Sequence, residues 1–187
     1  MSARRLALAC GIAGPAAFVG AWLVGGLQTP GYDPVRQTIS QLAREQAATA
    51  PLMTGGFVAF GVLVPVYATA LRRALGPAPA AATLTSGVAT LAVAALPLSL
   101  AGGQAVDQGH HVAAGLGYAG QALAPLLAAG AFRGRARTAS YVTGGTAAAA
   151  LVASVLLPDL AGLLQRTGLT VVDVWFAAVA VHLLRRG

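Results

Sequence analysis

Apolar residues run along most of this chain in six long stretches that are separated by short polar connectors. The stretches cover residues 6–27, 51–71, 80–103, 112–132, 138–158 and 163–184. Each holds about 20 residues or more, enough for a helix to cross the ~30 Å hydrocarbon core of a bilayer. Because hydrocarbon offers no partner to a free N–H or C=O, such stretches must be helices. The pattern predicts an all-α integral membrane bundle of six transmembrane helices, with residues 1–187 forming one domain.

The composition agrees with a membrane location. Apolar residues make up 57% of the 187 residues and charged residues 9%, whereas about a quarter of the residues in soluble domains are charged. The net charge of +7 does not indicate nucleic-acid binding, because the chain has no lysine and its arginines are dispersed in small clusters. We therefore expect the lipid bilayer as the partner of this protein and no nucleic acid.

The arginines predict the orientation in the membrane. Nine of the twelve lie before the first stretch, after the second, between the fourth and fifth, and after the sixth: Arg4, Arg5, Arg72, Arg73, Arg133, Arg135, Arg137, Arg185 and Arg186. With six crossings these clusters share one face, which the positive-inside rule makes cytoplasmic. The first stretch is longer than the ~7–15-residue core of a signal peptide, so we expect it to be retained. The predicted topology is N-in/C-in in the bacterial plasma membrane.

The connector after the first stretch is the most polar part of the chain. Residues 31–45 hold two of the five acids and two arginines. Asp33 followed by Pro34 is typical of a helix start, and apolar positions then recur at helical spacing, at Val35, Ile39 and Leu42. We expect a short amphipathic helix over residues 33–46 that lies in the outer interface and roofs the bundle. The alternative is a plain surface helix with Asp33 as its cap.

The start of the fourth stretch carries an acid and two imidazoles. Asp107, His110 and His111 stand at i, i+3 and i+4, so all three can lie near one face of a helix. Three interpretations are open: Asp107 caps the helix, the carboxylate orients a histidine for proton transfer, or the group binds a metal. A metal site would need a further protein ligand, and none is evident, so we predict no metal.

The last stretch contains the ionisable residues Arg166 and Asp173. A charged group within a transmembrane segment is costly and by default indicates a pairing partner or a site. The two are separated by two helical turns, about 10 Å, so each needs another partner. Asp173 is interpreted either as a structural lock that pairs with Arg36 or a histidine, or as a site carboxylate.

These motifs, in this order, resemble the bacterial and archaeal multi-pass proteins of domain of unknown function 998 (DUF998). The similar features are the connector motif, a His-His pair that opens the fourth span, and an arginine and a tryptophan in the last segment. The residues are Gly31, Tyr32, Asp33, Pro34, Arg36, Ile39, Ser40, Leu42, His110, His111, Arg166 and Trp175. The resemblance implies six helices and a membrane location, and it implies no reaction.

By the same count of crossings, the polar residues should gather on the outer side. We therefore expect an outward-facing polar cavity that binds or processes an anionic lipid headgroup or a lipid-linked substrate. The candidate catalytic residues are Asp107, His110, His111 and Ser40, and the candidate substrate-binding residues are Asp33, Arg36, Arg166 and Asp173. Two rival hypotheses are a non-catalytic scaffold or partner subunit and a small transporter. The sequence identifies no cofactor.

Overall fold

The computed structural model describes residues 2–186 and shows helices joined by loops, with no strand in that part of the chain. The six helices are α1 (Ala3–Gln28), α2 (Ala50–Leu75), α3 (Pro77–Ala95), α4 (Ala105–Ala128), α5 (Gly134–Leu156) and α6 (Ala161–Arg185). All six are long and apolar enough to cross a membrane. The prediction of an all-α protein with six candidate transmembrane helices is confirmed.

The third and fourth predicted spans are shifted relative to the helices that form. The prediction placed Pro97 inside a span, whereas α3 ends at Ala95 and residues 96–104 form a loop. The reason lies in Pro97, which lacks an N–H and forces the preceding residue out of the helical conformation. Gly102 and Gly103 then adopt positive φ values of 69° and 68°, a turn that favours glycine, before α4 begins at Ala105.

The helices form a closed ring. Each helix packs against its neighbours in the chain, and α1 also packs against α6. A hydrogen bond from Arg4 Nη2 to Leu183 O, 3.4 Å long, joins the start of α1 to the end of α6. This joint places the first and last arginine clusters at the same end of the ring. The assignment of that end to the cytoplasm remains a prediction.

The loop between α1 and α2 (residues 29–49) closes the opposite end of the ring. Its residues Ile39 and Leu42 are each only 1% exposed and belong to the core. Backbone hydrogen bonds attach it to neighbouring segments at this end: Glu45 N donates to Leu98 O in loop 96–104 (3.0 Å), and Leu163 N at the start of α6 donates to Val35 O (2.9 Å). Loop 29–49 therefore acts as a plug in the mouth of the ring.

The predicted amphipathic helix over residues 33–46 does not form. The structure has a turn at residues 34–36 and a short 3-10 helix at Ile39–Ala43. The physical reason is that side chains, rather than a helical ladder, bind much of the backbone of this loop. The Asp33 carboxylate accepts from Val35 N at 2.9 Å, and Ile39 N donates to the side chain of Gln165 at 2.7 Å. Such local side-chain bonds compete with helix formation.

Candidate functional site

The structure brings Ser40 and His110 into direct contact. His110 Nε2 lies 2.9 Å from Ser40 Oγ, although the two residues are seventy positions apart and belong to the plug and to α4. Both side chains are buried, Ser40 with 6% and His110 with 2% of its surface exposed. A hydroxyl in hydrogen-bond contact with an imidazole is the arrangement in which a histidine can activate a nucleophile.

The other ring nitrogen of His110 fixes the direction of this hydrogen bond. Nδ1 lies 2.6 Å from Leu96 O, and a backbone carbonyl can only accept. Nδ1 therefore carries the proton in the neutral ring, which leaves Nε2 as the acceptor. Ser40 Oγ must then donate to His110 Nε2. The carbonyl of Leu96 thus plays the orienting part that a carboxylate plays in a catalytic triad.

Three contacts hold Ser40 at this position. The neighbouring side chain of Ile39 is buried in the core, and Ile39 N donates to Gln165 Oε1 on α6. At the end of the plug, Thr49 Oγ1 donates to Leu42 O at 2.9 Å. These anchors lie on both sides of Ser40 in the chain, so the hydroxyl is presented by a fixed backbone.

A cleft of about 410 Å³ opens beside the pair. It lies between the plug and the ends of α4, α5 and α6. Its wall includes Val155, which is 75% exposed on α5. None of the side chains that line it within residues 2–186 is an arginine or a carboxylate. The lining residues are Thr38, Ser40, Gln41, Leu98, His110, His111, Ala114, Gly115, Tyr118, Leu151, Ser154, Val155, Ala161 and Gln165.

Tyr118 and Gln165 form a second polar contact in this cleft. Gln165 Oε1 faces the N–H of Ile39, which can only donate, so the amide orientation of Gln165 is fixed. Gln165 Nε2 therefore points towards Tyr118 and donates to its hydroxyl oxygen. Tyr118 also lines a smaller cavity of about 30 Å³ inside the ring, and Ser40 borders this cavity from the side of the plug.

Asp107 caps the start of α4 and makes no hydrogen bond to His110. Its carboxylate accepts hydrogen bonds from Ser99 N (2.7 Å), Ser99 Oγ (2.8 Å) and Gln104 N (3.3 Å). With Gln104 it forms a capping box. The group that orients the histidine is Leu96 O instead. Asp107 therefore fixes loop 96–104, which carries Leu96 O.

Arg166 is buried behind the plug, with 7% of its surface exposed. Its Nη1 donates to three backbone carbonyls, Pro34 O (2.8 Å), Gln37 O (2.9 Å) and Gly162 O (2.9 Å). Two of these carbonyls belong to the plug. Gly162 makes room for the contact, because a Cβ there would lie 2.6 Å from Pro34 O. Arg166 thus binds the protein's own backbone.

Two aromatic rings complete the environment of Arg166. Its guanidinium lies 5.4 Å from the ring centre of Trp22 and 5.3 Å from that of Tyr32, and Nη2 donates to the Tyr32 hydroxyl. Burial raises the pKa of Tyr32, and the Arg166 charge opposes that rise in part. The hydroxyl is therefore protonated at neutral pH, and its O–H donates a hydrogen bond to Thr38 O at 2.9 Å.

The remaining predicted residues lie apart from the cleft. Arg36 is exposed, and its Nε lies 3.9 Å from Asp33 Oδ2 and 3.9 Å from Asp159 Oδ1. Exposed ion pairs of this length contribute little to stability. Asp173 is buried in α6, where Oδ1 accepts from Gln121 Nε2 at 3.2 Å and Oδ2 has no partner within residues 2–186. It contacts neither Arg36 nor a histidine there.

Of the eight predicted site residues, the cleft therefore brings together three: Ser40, His110 and His111. Sequence reasoning missed Tyr118 and Gln165. The sequence signal that could have indicated both residues is that each is an uncharged polar side chain within a predicted apolar stretch. Within residues 2–186, no group of three or more His, Cys, Asp or Glu side chains is placed to hold a metal ion.

One comparison with known proteins gives a match. The model of a family described as protein of unknown function (DUF998) matches residues 12–182, which is most of the chain. Searches against curated proteins and against solved structures found no match. The family model thus covers all of the site residues named above, and its description names no reaction.

Proposed function

This chain belongs to the DUF998 family, whose description assigns no activity, and we propose its function from the geometry of the Ser40–His110 pair. The protein is a membrane enzyme that acts on the carbonyl group of a lipid or lipid-linked substrate. Ser40 is the nucleophile, and His110 is first its general base and then the general acid. The 2.9 Å contact between His110 Nε2 and Ser40 Oγ carries this proposal.

The reaction is an acyl transfer. A lone pair of Ser40 Oγ forms a bond to the carbonyl carbon while the hydroxyl proton passes to His110 Nε2. The C=O π electrons move onto the carbonyl oxygen and form an oxyanion. When the oxyanion collapses, the bond to the leaving alkoxide breaks, and the alkoxide takes the proton from His110. Water or an acceptor alcohol then releases the acyl group from Ser40 by the same steps.

The lining of the cleft favours a neutral carbonyl over a phosphate as the reacting group. Side chains that bind phosphate are most often arginine or lysine, and neither lines the cleft within the described residues. The apolar residues at its edge, such as Leu151 and Val155, suit an acyl chain that enters sideways from the bilayer. Because Arg36 is exposed, it is the side chain that would reach a headgroup phosphate outside the cleft.

In this proposal Arg166 and Asp107 are positioning residues. Arg166 holds the plug that carries Ser40, and Asp107 holds the loop that carries Leu96 O. Neither side chain lines the cleft. His111 lies at its rim, exposed, with its ring centre 5.9 Å from that of His110, where it would contact the polar part of the substrate.

An alkyl fluorophosphonate with a fluorescent reporter tests this proposal, because such probes label serines that a neighbouring base activates. In the purified full-length protein we expect labelling at Ser40, none after S40A, and labelling at least about 100-fold slower after H110Q. Ser154 provides a matched control: it lines the same cleft, but its Oγ donates to Leu151 O at 2.7 Å. S154A should label like the wild type.

A folded wild-type protein that takes up no label, or an S40A variant that is labelled at the wild-type rate, would overturn the enzyme hypothesis. Folding is checked on each variant by its unfolding temperature in detergent. A folded, unlabelled protein would favour the scaffold hypothesis, in which the polar contacts only hold the plug.

A further inference from the structure

The hydroxyl of Tyr118, a residue that lines the same cleft as Ser40, has an O–H without an acceptor among residues 2–186. A tyrosine hydroxyl has one O–H to donate and lone pairs to accept. Gln165 Nε2 donates to the oxygen, and among residues 2–186 no acceptor is found for the O–H itself. Tyr118 lines both the cleft and the small interior cavity, as Ser40 does. Its proton is therefore available to a molecule in the cleft.

Gln165 links this hydroxyl to the plug. One end of its amide accepts from Ile39 N, next to Ser40 in the chain, and the other end donates to Tyr118. A single side-chain amide thus sets the separation between the Tyr118 hydroxyl and the backbone that carries Ser40. Gln165 is 8% exposed, so this link is enclosed by protein.

We propose that Tyr118 is a catalytic residue that donates its O–H to the oxyanion formed when Ser40 attacks a carbonyl, and that Gln165 is the positioning residue that keeps this proton free. The inference rests on the proposed acyl transfer. The O–H of Tyr118 supplies the donor that stabilises the oxyanion, because no arginine or lysine lines the cleft within the described residues. Tyr118 donates only a hydrogen bond and keeps its proton, so the bonds formed and broken are those of the acyl-transfer step.

The proposal also restricts the substrate class. The reacting group must present an oxygen that gains charge on attack, as the carbonyl oxygen of an ester does. The cavity of about 30 Å³ behind Ser40 is lined largely by apolar side chains, among them Phe18, Phe57 and Phe60. Its volume is about that of one or two water-sized groups. The long chain of a lipid acyl ester must therefore lie in the larger cleft.

Fluorophosphonate labelling of Ser40 tests Tyr118 directly, because the phosphoryl oxygen of the probe also gains charge during the attack. In Y118F the ring remains and only the O–H is lost. We expect the maximal labelling rate to fall by on the order of 100-fold, as for the loss of one oxyanion donor. The probe concentration that gives half the maximal rate should change less than about two-fold, because the O–H acts on the transition state.

Two further variants sharpen the test. Y141F changes a tyrosine that is 46% exposed on α5, outside the cleft, and should label like the wild type. In Q165E, the carboxylate can still accept a hydrogen bond from Ile39 N, but it has no NH₂ group to donate to Tyr118. It would instead accept a hydrogen bond from the Tyr118 O–H, which is then no longer free for the oxyanion. Q165E should therefore slow labelling as Y118F does, although the tyrosine is intact.

The two proposals fail in different ways. If the wild-type protein is not labelled, the acyl-transfer proposal fails. If Ser40 is labelled in a His110-dependent manner and Y118F reacts as fast as the wild type, only the role of Tyr118 is overturned. The unfolding temperature of Y118F, measured alongside, should stay within about 2 °C of the wild type; a slow variant that is also strongly destabilised would count against a purely chemical role.

Discussion

Two buried polar residues hold the same plug from different helices, and they do so in different ways. Arg166 on α6 binds Pro34 O and Gln37 O and is enclosed by Trp22 and Tyr32. His110 on α4 binds the Ser40 hydroxyl and lies on an open cleft. Both contacts join residues that are distant in the sequence, and both involve side chains that are rare within transmembrane segments.

The difference lies in the partner groups. The partners of Arg166 in the plug are backbone carbonyls and a tyrosine hydroxyl, which gain a hydrogen bond and have no reaction to undergo. The partner of His110 is a hydroxyl whose proton the imidazole can accept, and the cleft beside it has room for another molecule. Under the proposed function, the enclosed contact of Arg166 is structural, and the contact of His110 that borders the cleft is catalytic. The following predictions test this distinction, from the largest expected loss of stability to the smallest.

The largest effect is expected for R166M. Methionine keeps part of the apolar stem but removes the guanidinium that donates to Pro34 O, Gln37 O and Gly162 O and lies against Trp22 and Tyr32. An acceptor that loses its partner away from water costs about 1–3 kcal/mol. The free energy of unfolding should fall by about 2–5 kcal/mol, measured by denaturant unfolding in detergent. R36M, at an exposed arginine, is the control and should change it by less than about 0.5 kcal/mol. Equal effects of the two variants would contradict the structural role of Arg166.

A smaller loss is expected for G162A, which tests the same contact from the helix side. A Cβ at this position would lie 2.6 Å from Pro34 O and 2.9 Å from Arg166 Nη1, so the plug must shift. We expect a loss of about 1–3 kcal/mol, as for other overpacked sites. G145A is the matched control, because a Cβ there meets nothing within 4 Å. If G162A is as stable as G145A, the plug is not held closely against α6.

D107A tests the support of the histidine rather than the plug. It removes the acceptor of Ser99 N, Ser99 Oγ and Gln104 N. The unfolding temperature should fall by roughly 2–4 °C, the shift for one lost helix cap in a chain of this size. Q108A, at an exposed neighbouring position on α4, should leave it unchanged. A D107A protein as stable as Q108A would show that loop 96–104 does not depend on the cap.

The smallest loss is expected for S40A. It removes one hydrogen bond to His110 Nε2, and water in the adjoining cleft can take the place of the hydroxyl. The free energy of unfolding should therefore change by about 1 kcal/mol or less, while fluorophosphonate labelling is lost. S154A is the matched control, because Ser154 lines the same cleft; its change in the free energy of unfolding is compared with that of S40A. If S40A were as unstable as R166M, the Ser40–His110 contact would be a second structural lock, and the distinction drawn above would fail.

The sequence alone predicted the architecture because its signal is long and repeated. Each span needs about twenty apolar residues in a row, so an error of a few residues at an end, as at Pro97, leaves the count of six unchanged. The family was also evident from the motif around Asp33, Ser40 and Leu42. By contrast, the helix predicted over residues 33–46 was wrong, because the periodic pattern carries no information about Gln165 and Arg166, which bind that backbone from α6.

The site depended on tertiary structure in the same way. From the sequence, Ser40, His110 and His111 were candidates among eight residues, and Asp107 was as good a partner for the histidine as any. Only the packed ring decided that Leu96 O orients His110, that Arg166 faces the plug and that Tyr118 borders the cleft. The physical reason is the separation of the interacting groups along the chain. A hydrophobic span is determined by residues that are adjacent in the sequence. These hydrogen bonds join groups up to 134 positions apart, which become neighbours only when the helices pack.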